Sequence, residues 1–314
     1  MNGRTGVAES RVVERGTRSL GWMVAVTAIG PATWGTTYIV ATELLPAGRP
    51  LLAAAIRTLP IGLLLAFRSR RLPSGAWWWR YAVLGALNIG AFQALLFVAA
   101  FRLPGGVAAT VGAVQPLVAA ALAAVLLGEV FTRRTALAGI TGIVGVGLLV
   151  LRPDAGLDPV GLVAALAATL SMALGVVLTK HWGRPVDLLT STGWQLTVGG
   201  LFLAPVALVF EGPPPVLTGA NLMGFAWLAV VGTGLAYALW FRGIGNLPIS
   251  MTSFLALLSP LVATAIGWVV LNQAFDVIQM VGAALVAGAV VAPQLRPKRL
   301  GNRAPADAQA HVPR

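Results

Sequence analysis

Hydrophobic residues run in ten long blocks separated by short polar breaks. The blocks fall at roughly 22–43, 50–67, 80–100, 105–127, 135–151, 160–179, 188–210, 220–240, 249–270 and 277–294. A helix needs about 20 mostly apolar residues to cross a bilayer, and lipid offers no partners to open backbone groups. Each block is therefore predicted to be a membrane-spanning helix. Turn residues sit in the breaks, among them Pro46-Ala47-Gly48, Pro104-Gly105-Gly106 and Pro213-Pro214-Pro215. The run Trp77-Trp78-Trp79 precedes the third block, where indole rings suit the headgroup level. Residues 1–19 and 298–314 are polar tails.

The pattern also repeats. Leu103 to Pro153 aligns without gaps on Leu247 to Pro297, 144 residues later, with 14 of 51 paired positions identical. The anchors include Pro116-Leu117-Val118-Ala119 with Pro260-Leu261-Val262-Ala263 and Leu151-Arg152-Pro153 with Leu295-Arg296-Pro297. This shift places helices four and five on helices nine and ten, so the unit is five helices. An odd number of spans turns the second copy upside down. The expected architecture is all-α and integral to the membrane: ten transmembrane helices as two inverted five-helix repeats, 20–153 and 158–297. Gly48-Arg49-Pro50 and Gly183-Arg184-Pro185 are a weaker candidate for equivalence near the starts of the two copies. Inverted repeats are a common way to build a secondary transporter, with substrate held near the midplane between them.

Composition supports the membrane reading. The chain is 57% hydrophobic and 10% charged, with mean hydropathy +0.84; soluble domains carry about 25% charge. The formal net charge of +12 suggests nucleic acid until its placement is examined. With a cytoplasmic N-terminus, 18 of the 22 basic residues fall on the cytoplasmic side, only Arg49, Arg102 and Arg152 fall outside, and Arg57 lies within a span. That is the positive-inside bias, and it puts both termini in the cytoplasm of a multi-pass protein. The partners expected are a lipid bilayer and a small-molecule substrate, not nucleic acid. With 20 Arg against two Lys, a bacterial plasma membrane is the expected setting.

Together the ten spans, the repeat and several short motifs resemble the EamA family of the drug/metabolite transporter superfamily. Trp34-Gly35-Thr36-Thr37-Tyr38 is similar to the family's opening helix, and Arg57 sits where the family commonly has arginine. Val114-Gln115-Pro116-Leu117 and Leu258-Ser259-Pro260-Leu261 resemble its proline stretch. Leu127-Gly128-Glu129 resembles its "LGE" ending, whereas the second copy has Leu271-Asn272-Gln273 there. The resemblance covers about 22–297. It implies two inverted five-helix repeats around a central cavity and export of metabolites, often amino acids, without naming the substrate.

Few residues in the spans carry chemistry. A charge inside a bilayer is costly and usually faces protein or water. Arg57 is read either as the group that captures a substrate carboxylate through its planar fork of donors, or as one that pairs with Glu43 or snorkels outward. Trp34 and Tyr38, four apart, share a helix face and line the cavity or pack in the core. Asn88 and Gln93, Trp194 and Gln195, and Tyr237 and Trp240 carry the same two readings, pocket lining or helix packing. Tyr237 and Trp240, three apart, suit one aromatic wall. Gln115 and Ser259 precede Pro116 and Pro260, which occupy the same repeat position. Each proline removes a helical donor and clashes with the carbonyl four residues back, here Gly112 and Ala256. The pair acts as hinges for alternating access or as static kinks. Small-residue spacing at Ala138/Gly142 and Ala284/Gly288 suits close helix packing or a homodimer face.

No enzyme, cofactor or metal site is expected. The chain has no cysteine, only His181 and His311, and no HExxH or P-loop motif. Its carboxylates, Glu43, Glu129, Asp158, Asp187, Glu211 and Asp276 among them, lie near block ends rather than at mid-span, so proton coupling is less evident than exchange or facilitated diffusion. The expected function is a secondary transporter of small metabolites such as amino acids. The alternatives are a multidrug or cationic-compound exporter, or a membrane sensor or scaffold that transports nothing.

Overall fold

In the computed structural model every predicted block is helical. It describes residues 20–68, 70–102, 105–150, 158–271 and 276–295. The predicted polar tails, the Leu103-Pro104 anchor, Arg152 with its loop and Asn272-Gln273 lie outside these residues. So does the side chain of Tyr38. Among the described residues there is no strand.

Helix α1 covers 20–44, with a single-residue turn at Thr36, and α2 covers Pro50–Phe67. Helix α3 is built from Trp77–Gly85, a π-helical turn at Ala86–Ala91, and Phe92–Arg102. Helix α4 runs Gly105–Gly112 and then Gln115–Leu127, and α5 is Arg133–Val150. Helices α6 and α7 are Pro159–Trp182 and Leu188–Glu211. Helix α8 has Gly219–Ala229, a second π turn at Val230–Leu235, and Ala236–Asn246. Helix α9 runs Ile249–Leu255 then Leu258–Leu271, and α10 spans Val277–Gln294. Among the described residues, seven helices suffice by length and composition to cross a membrane: α2, α4, α6, α7, α8, α9 and α10.

Local chemistry sets the ends. Proline opens α2 and α6, where its missing N–H costs nothing. Asp158 and Asp187 cap α6 and α7, while Thr218 with Asn221 and Asp276 with Gln279 form capping boxes. Gly128 closes α4 at φ 66°, a left-handed conformation that suits glycine. Gly48 and Gly183, which the sequence pairs, both have positive φ, although Pro50 starts α2 and Pro185 stands three residues before α7.

At the expected proline kinks each helix is interrupted by a two-residue turn, with right-handed backbone at Val114 and Ala256. Helix α4 stops at Gly112 and resumes at Gln115, so Pro116 falls in the first turn of a new helix; α9 breaks at Ala256–Leu257, just before Pro260. The π turns at Ala86–Ala91 and Val230–Leu235 and the helices Phe92–Arg102 and Ala236–Asn246 also sit 144 residues apart.

Glycine seams hold the bundle. Helix α2 packs along α7 and α5 along α10. A Cβ on Gly62 would lie 2.5 Å from the Thr197 nitrogen, and one on Gly193 would lie 2.2 Å from the Ala66 nitrogen. A Cβ on Gly282 would lie 2.7 Å from the Leu149 nitrogen. Within the chain the Ala284/Gly288 spacing, read as close packing or a homodimer face, forms no seam, because a Cβ on Gly288 meets nothing within 4 Å; Gly145 and Gly282 make the close approach instead. Ala138 is buried, and Gly142 packs against Leu257 and Ala289. Large apolar side chains such as Val125, Val209 and Phe210 point outward, as a lipid-facing surface requires.

Three outcomes follow for stability. Gly62→Ala or Gly193→Ala should push α2 and α7 apart, cost about 1–3 kcal/mol and lower the thermal midpoint in detergent. Gly288→Ala should leave the midpoint unchanged or raise it. Asp187 is held below the usual carboxylate range, first by the Thr190 hydroxyl and further by the Thr190 N–H and Arg68. Its contribution is therefore complete above the unfolded aspartate value, about pH 4, and is lost as pH falls through the depressed folded value. Asp187→Ala should cost about 1 kcal/mol at pH 7, and the gap between the two proteins' melting curves should close toward pH 3.

Candidate functional site

The π turn of α8 reads Val-Val-Gly-Thr-Gly-Leu, and at its centre backbone and side chain face α1 and α2. The Trp34 indole Nε1 donates to the Gly232 carbonyl at 3.1 Å, and Arg57 Nη2 donates to the same oxygen at 2.9 Å. Arg57 Nε donates to Thr233 Oγ1 at 2.8 Å. A π turn widens the helix and is a frequent mark of a functional site. Here it presents a carbonyl that two long donors from other helices reach. Arg57 thus lies against neutral acceptors on α8, not in the Glu43 pair that the sequence offered as an alternative.

Aromatic rings surround this node. Trp34 lies 5.1 Å from Tyr237 and 5.4 Å from Trp240, and Tyr237 lies 5.7 Å from Phe241. Trp240 is fully buried and its Nε1 has no partner among the described residues. The wall expected from Tyr237 and Trp240 therefore has a third member, supplied by α1. Close approach makes this possible: a Cβ on Gly30 would lie 2.8 Å from the Ala236 carbonyl oxygen.

A second polar node lies at the π turn of α3. Asn88 Nδ2 is within bonding distance of Gln195 Oε1 at 3.0 Å, Thr179 Oγ1 at 3.0 Å and the Gly175 carbonyl at 3.4 Å. The structure joins Asn88 and Gln195, which the sequence offered separately. Each π turn thus contacts two helices distant in sequence: α6 and α7 for the first, α1 and α2 for the second.

The other candidates are scattered. Trp194 turns away, packing on Phe67 at 5.3 Å and Trp78 at 6.1 Å in a separate cluster with Tyr81. Gln93 and Gln115 are buried, and Gln115 Nε2 has no partner among the described residues. Ser259 stands beside the α9 break, where its carbonyl would lie 2.8 Å from a Cβ on Gly35. Sequence reasoning passed over Gly232 and Thr233. The run of small residues Gly232-Thr233-Gly234 inside a long apolar helix was the available signal. It also passed over the ion pair of Lys180 with Glu129, 2.6 Å apart, whose members are 51 residues apart.

Comparison with known proteins places this geometry in context. The model of the EamA-like transporter family matches twice, at residues 21–151 and 159–292. Protein PecM of Dickeya dadantii is 48% identical over 264 residues, covering 83% of this chain and 88% of that protein. A chloroplastic WAT1-related protein of Arabidopsis thaliana is 29% identical over 274 residues, covering 82% of this chain and 66% of that one. A solved crystal structure 20% identical in sequence superposes with TM-score 0.75, covering 87% of this chain and 96% of that one, a likeness of fold alone. With one family model accounting for both parts of the sequence, the chain belongs to the EamA-like transporter family.

Proposed function

We propose that the protein is a secondary transporter that exports small, partly apolar metabolites bearing a carboxylate, such as amino acids. It would work by alternating access between two inverted five-helix repeats of ten membrane-spanning helices. The observation that carries this reading is the convergence of Arg57 and Trp34 on the Gly232 carbonyl, beside the Tyr237 and Trp240 rings. A guanidinium held by neutral acceptors retains its charge for an anionic ligand, and its planar fork matches a carboxylate. The indole and phenol rings supply an apolar wall for the rest of the molecule.

The inverted arrangement is supported by the double family match and by the π turns at equivalent positions. It is supported further by the exchange of contacts, in which each half's π turn touches the first two helices of the other. The helix breaks before Pro116 and Pro260 lie at matching points, where a rocking motion can concentrate its backbone changes. The distribution of basic residues favours cytoplasmic termini in a bacterial plasma membrane.

The second reading, export of organic cations, draws on the same rings, since Trp34, Tyr237 and Trp240 form a partial aromatic box. Arg57 beside them opposes a cationic ligand.

Counterflow in proteoliposomes tests the proposal. Vesicles loaded with an amino-acid mixture should take up labelled amino acid saturably, with competition from particular members. Arg57→Gln should reduce that uptake at least about ten-fold, the effect of losing one charged hydrogen bond of roughly 1.4 kcal/mol, while its melting temperature stays near that of the parent. Uptake unchanged in a folded Arg57→Gln protein would overturn the role of Arg57. Competition by organic cations and not by amino acids would favour the second reading.

A further inference from the structure

At the end of the bundle that carries Arg68, Lys180, Arg184 and Arg242, a cleft of about 210 Å³ opens between the C-terminal ends of α6 and α8 and the N-terminal end of α7. On the charge bias this is the cytoplasmic end. Lys180 and Arg184 supply its charge, and Thr179, Ser191, Gln195 and Asn246 supply hydroxyl and amide groups; no carboxylate lines it.

Lys180 is not idle. Its Nζ donates to Glu129 Oε1 and to the Leu247 carbonyl, both at 2.6 Å. The other Glu129 oxygen accepts from the Ile249 N–H at 2.8 Å, at the start of α9. One carboxylate at the end of α4 therefore ties together α6 and the turn between α8 and α9. The pair is only partly buried, with side chains 25% and 19% exposed. Lys180 thus lines the cleft while its ammonium is held by Glu129, which stands outside the lining, and the Glu129 bond to the Ile249 N–H does not involve Lys180.

The cleft also leads inward. Phe241 lines it and contacts Tyr237, Tyr237 contacts Trp34, and Trp34 shares the Gly232 carbonyl with Arg57. A line of aromatic rings thus connects the Lys180 end to the central node. On a second wall Gln195 connects the cleft to Asn88.

We propose that this cleft is a first docking site for the substrate's anionic group, in which the incoming carboxylate replaces Glu129 as the partner of Lys180 and so releases the tie between α6 and the end of α4. This rests on the reading of the protein as a transporter of carboxylates. It adds a second, peripheral site to the one at Arg57, and it makes loosening of this end depend on the ligand's charge. No covalent step is involved: one ion pair is exchanged for another.

The absence of cysteine makes a direct test available. Asn246→Cys, at the mouth of the cleft, is labelled in inside-out vesicles with two methanethiosulfonates of similar size, one bearing a sulfonate and one a trimethylammonium group. Rates are normalised to those of each reagent with free cysteine. The sulfonate should react about ten-fold faster than the cation, in keeping with focusing of an anion by a positive cleft. Adding Glu129→Gln should widen the ratio by freeing Lys180, and adding Lys180→Gln should remove that gain. Arg184→Gln, which leaves the ion pair intact, should narrow the ratio on its own. Equal rates for the two reagents, or a ratio indifferent to Glu129→Gln, would overturn the proposal. The labelling requires no turnover. A charge preference together with normal uptake by Arg57→Gln would keep the cleft and discard the central site; loss of uptake by Arg57→Gln with no charge preference would do the reverse.

Discussion

The Gly232 carbonyl, shared by a guanidinium and an indole within an apolar bundle, organises the centre of this protein. In water such a contact would contribute little, because solvent competes for every donor. Inside a bilayer an unsatisfied backbone group or an unsolvated charge costs several kcal/mol, so each needs the other. The π turn presents the oxygen, and α1 and α2 must come close enough to reach it. Those approaches require small residues: Gly30 lies against the Ala236 backbone, and Gly234 against Ile61. The aromatic wall is a consequence, since the indole that reaches Gly232 is thereby placed against Tyr237 and Trp240.

The packing also indicates where motion is cheap. Helices α2 and α7 interlock through Gly62, Gly193 and Gly200, and polar contacts clasp them at both ends. Arg68 pairs with Asp187 at one end; at the other, the Glu211 carboxylate accepts from the Leu51 and Leu52 amides and Arg49 donates to the Pro213 carbonyl. Helices α5 and α10 interlock through Gly145 and Gly282. Sliding either seam would drive backbone into backbone. Helices α4 and α9 differ, because each is already broken near its middle. Under the proposed alternating access, an opening at one face would meet least resistance in those two helices, with the α2–α7 seam as its pivot.

Much of this was legible in the sequence for a simple reason. Apolar length reports span length directly, so the blocks predicted at 50–67 and 188–210 match α2 and α7 within a residue. The repeat at 144 residues was visible because prolines and apolar positions recur at that spacing, and it recurs in the placement of both π turns and both helix breaks. The site was less legible. Arg57 stood out as a charge in a span, and Trp34, Tyr237 and Trp240 as aromatic residues, but what joins them is a backbone oxygen, which sequence does not display. Trp194 carried the same signal as Trp240 and points elsewhere, because side-chain chemistry does not reveal which face of an apolar helix looks inward. Gly288 illustrates the same limit: small spacing identifies a surface that permits close approach, not the neighbour that makes it.

The repeat is symmetric in backbone and asymmetric in chemistry. The 144-residue shift places Asn88 opposite Gly232, so one π turn contributes a side-chain amide donor and the other a backbone acceptor. Helices α2 and α7 end 144 residues apart, which places Arg57 opposite Leu201, an exposed apolar side chain. A guanidinium at position 201 would face outward into lipid, where a charge is costly. A single charge avoids that cost and gives the centre a polarity that the fold alone does not have. On the proposed reading, a ligand with one anionic end and one apolar end would then bind in only one orientation, whichever face it enters from. Under the proposed transport cycle, the scaffold would supply the two-sided motion and Arg57 would supply the direction in which the ligand lies.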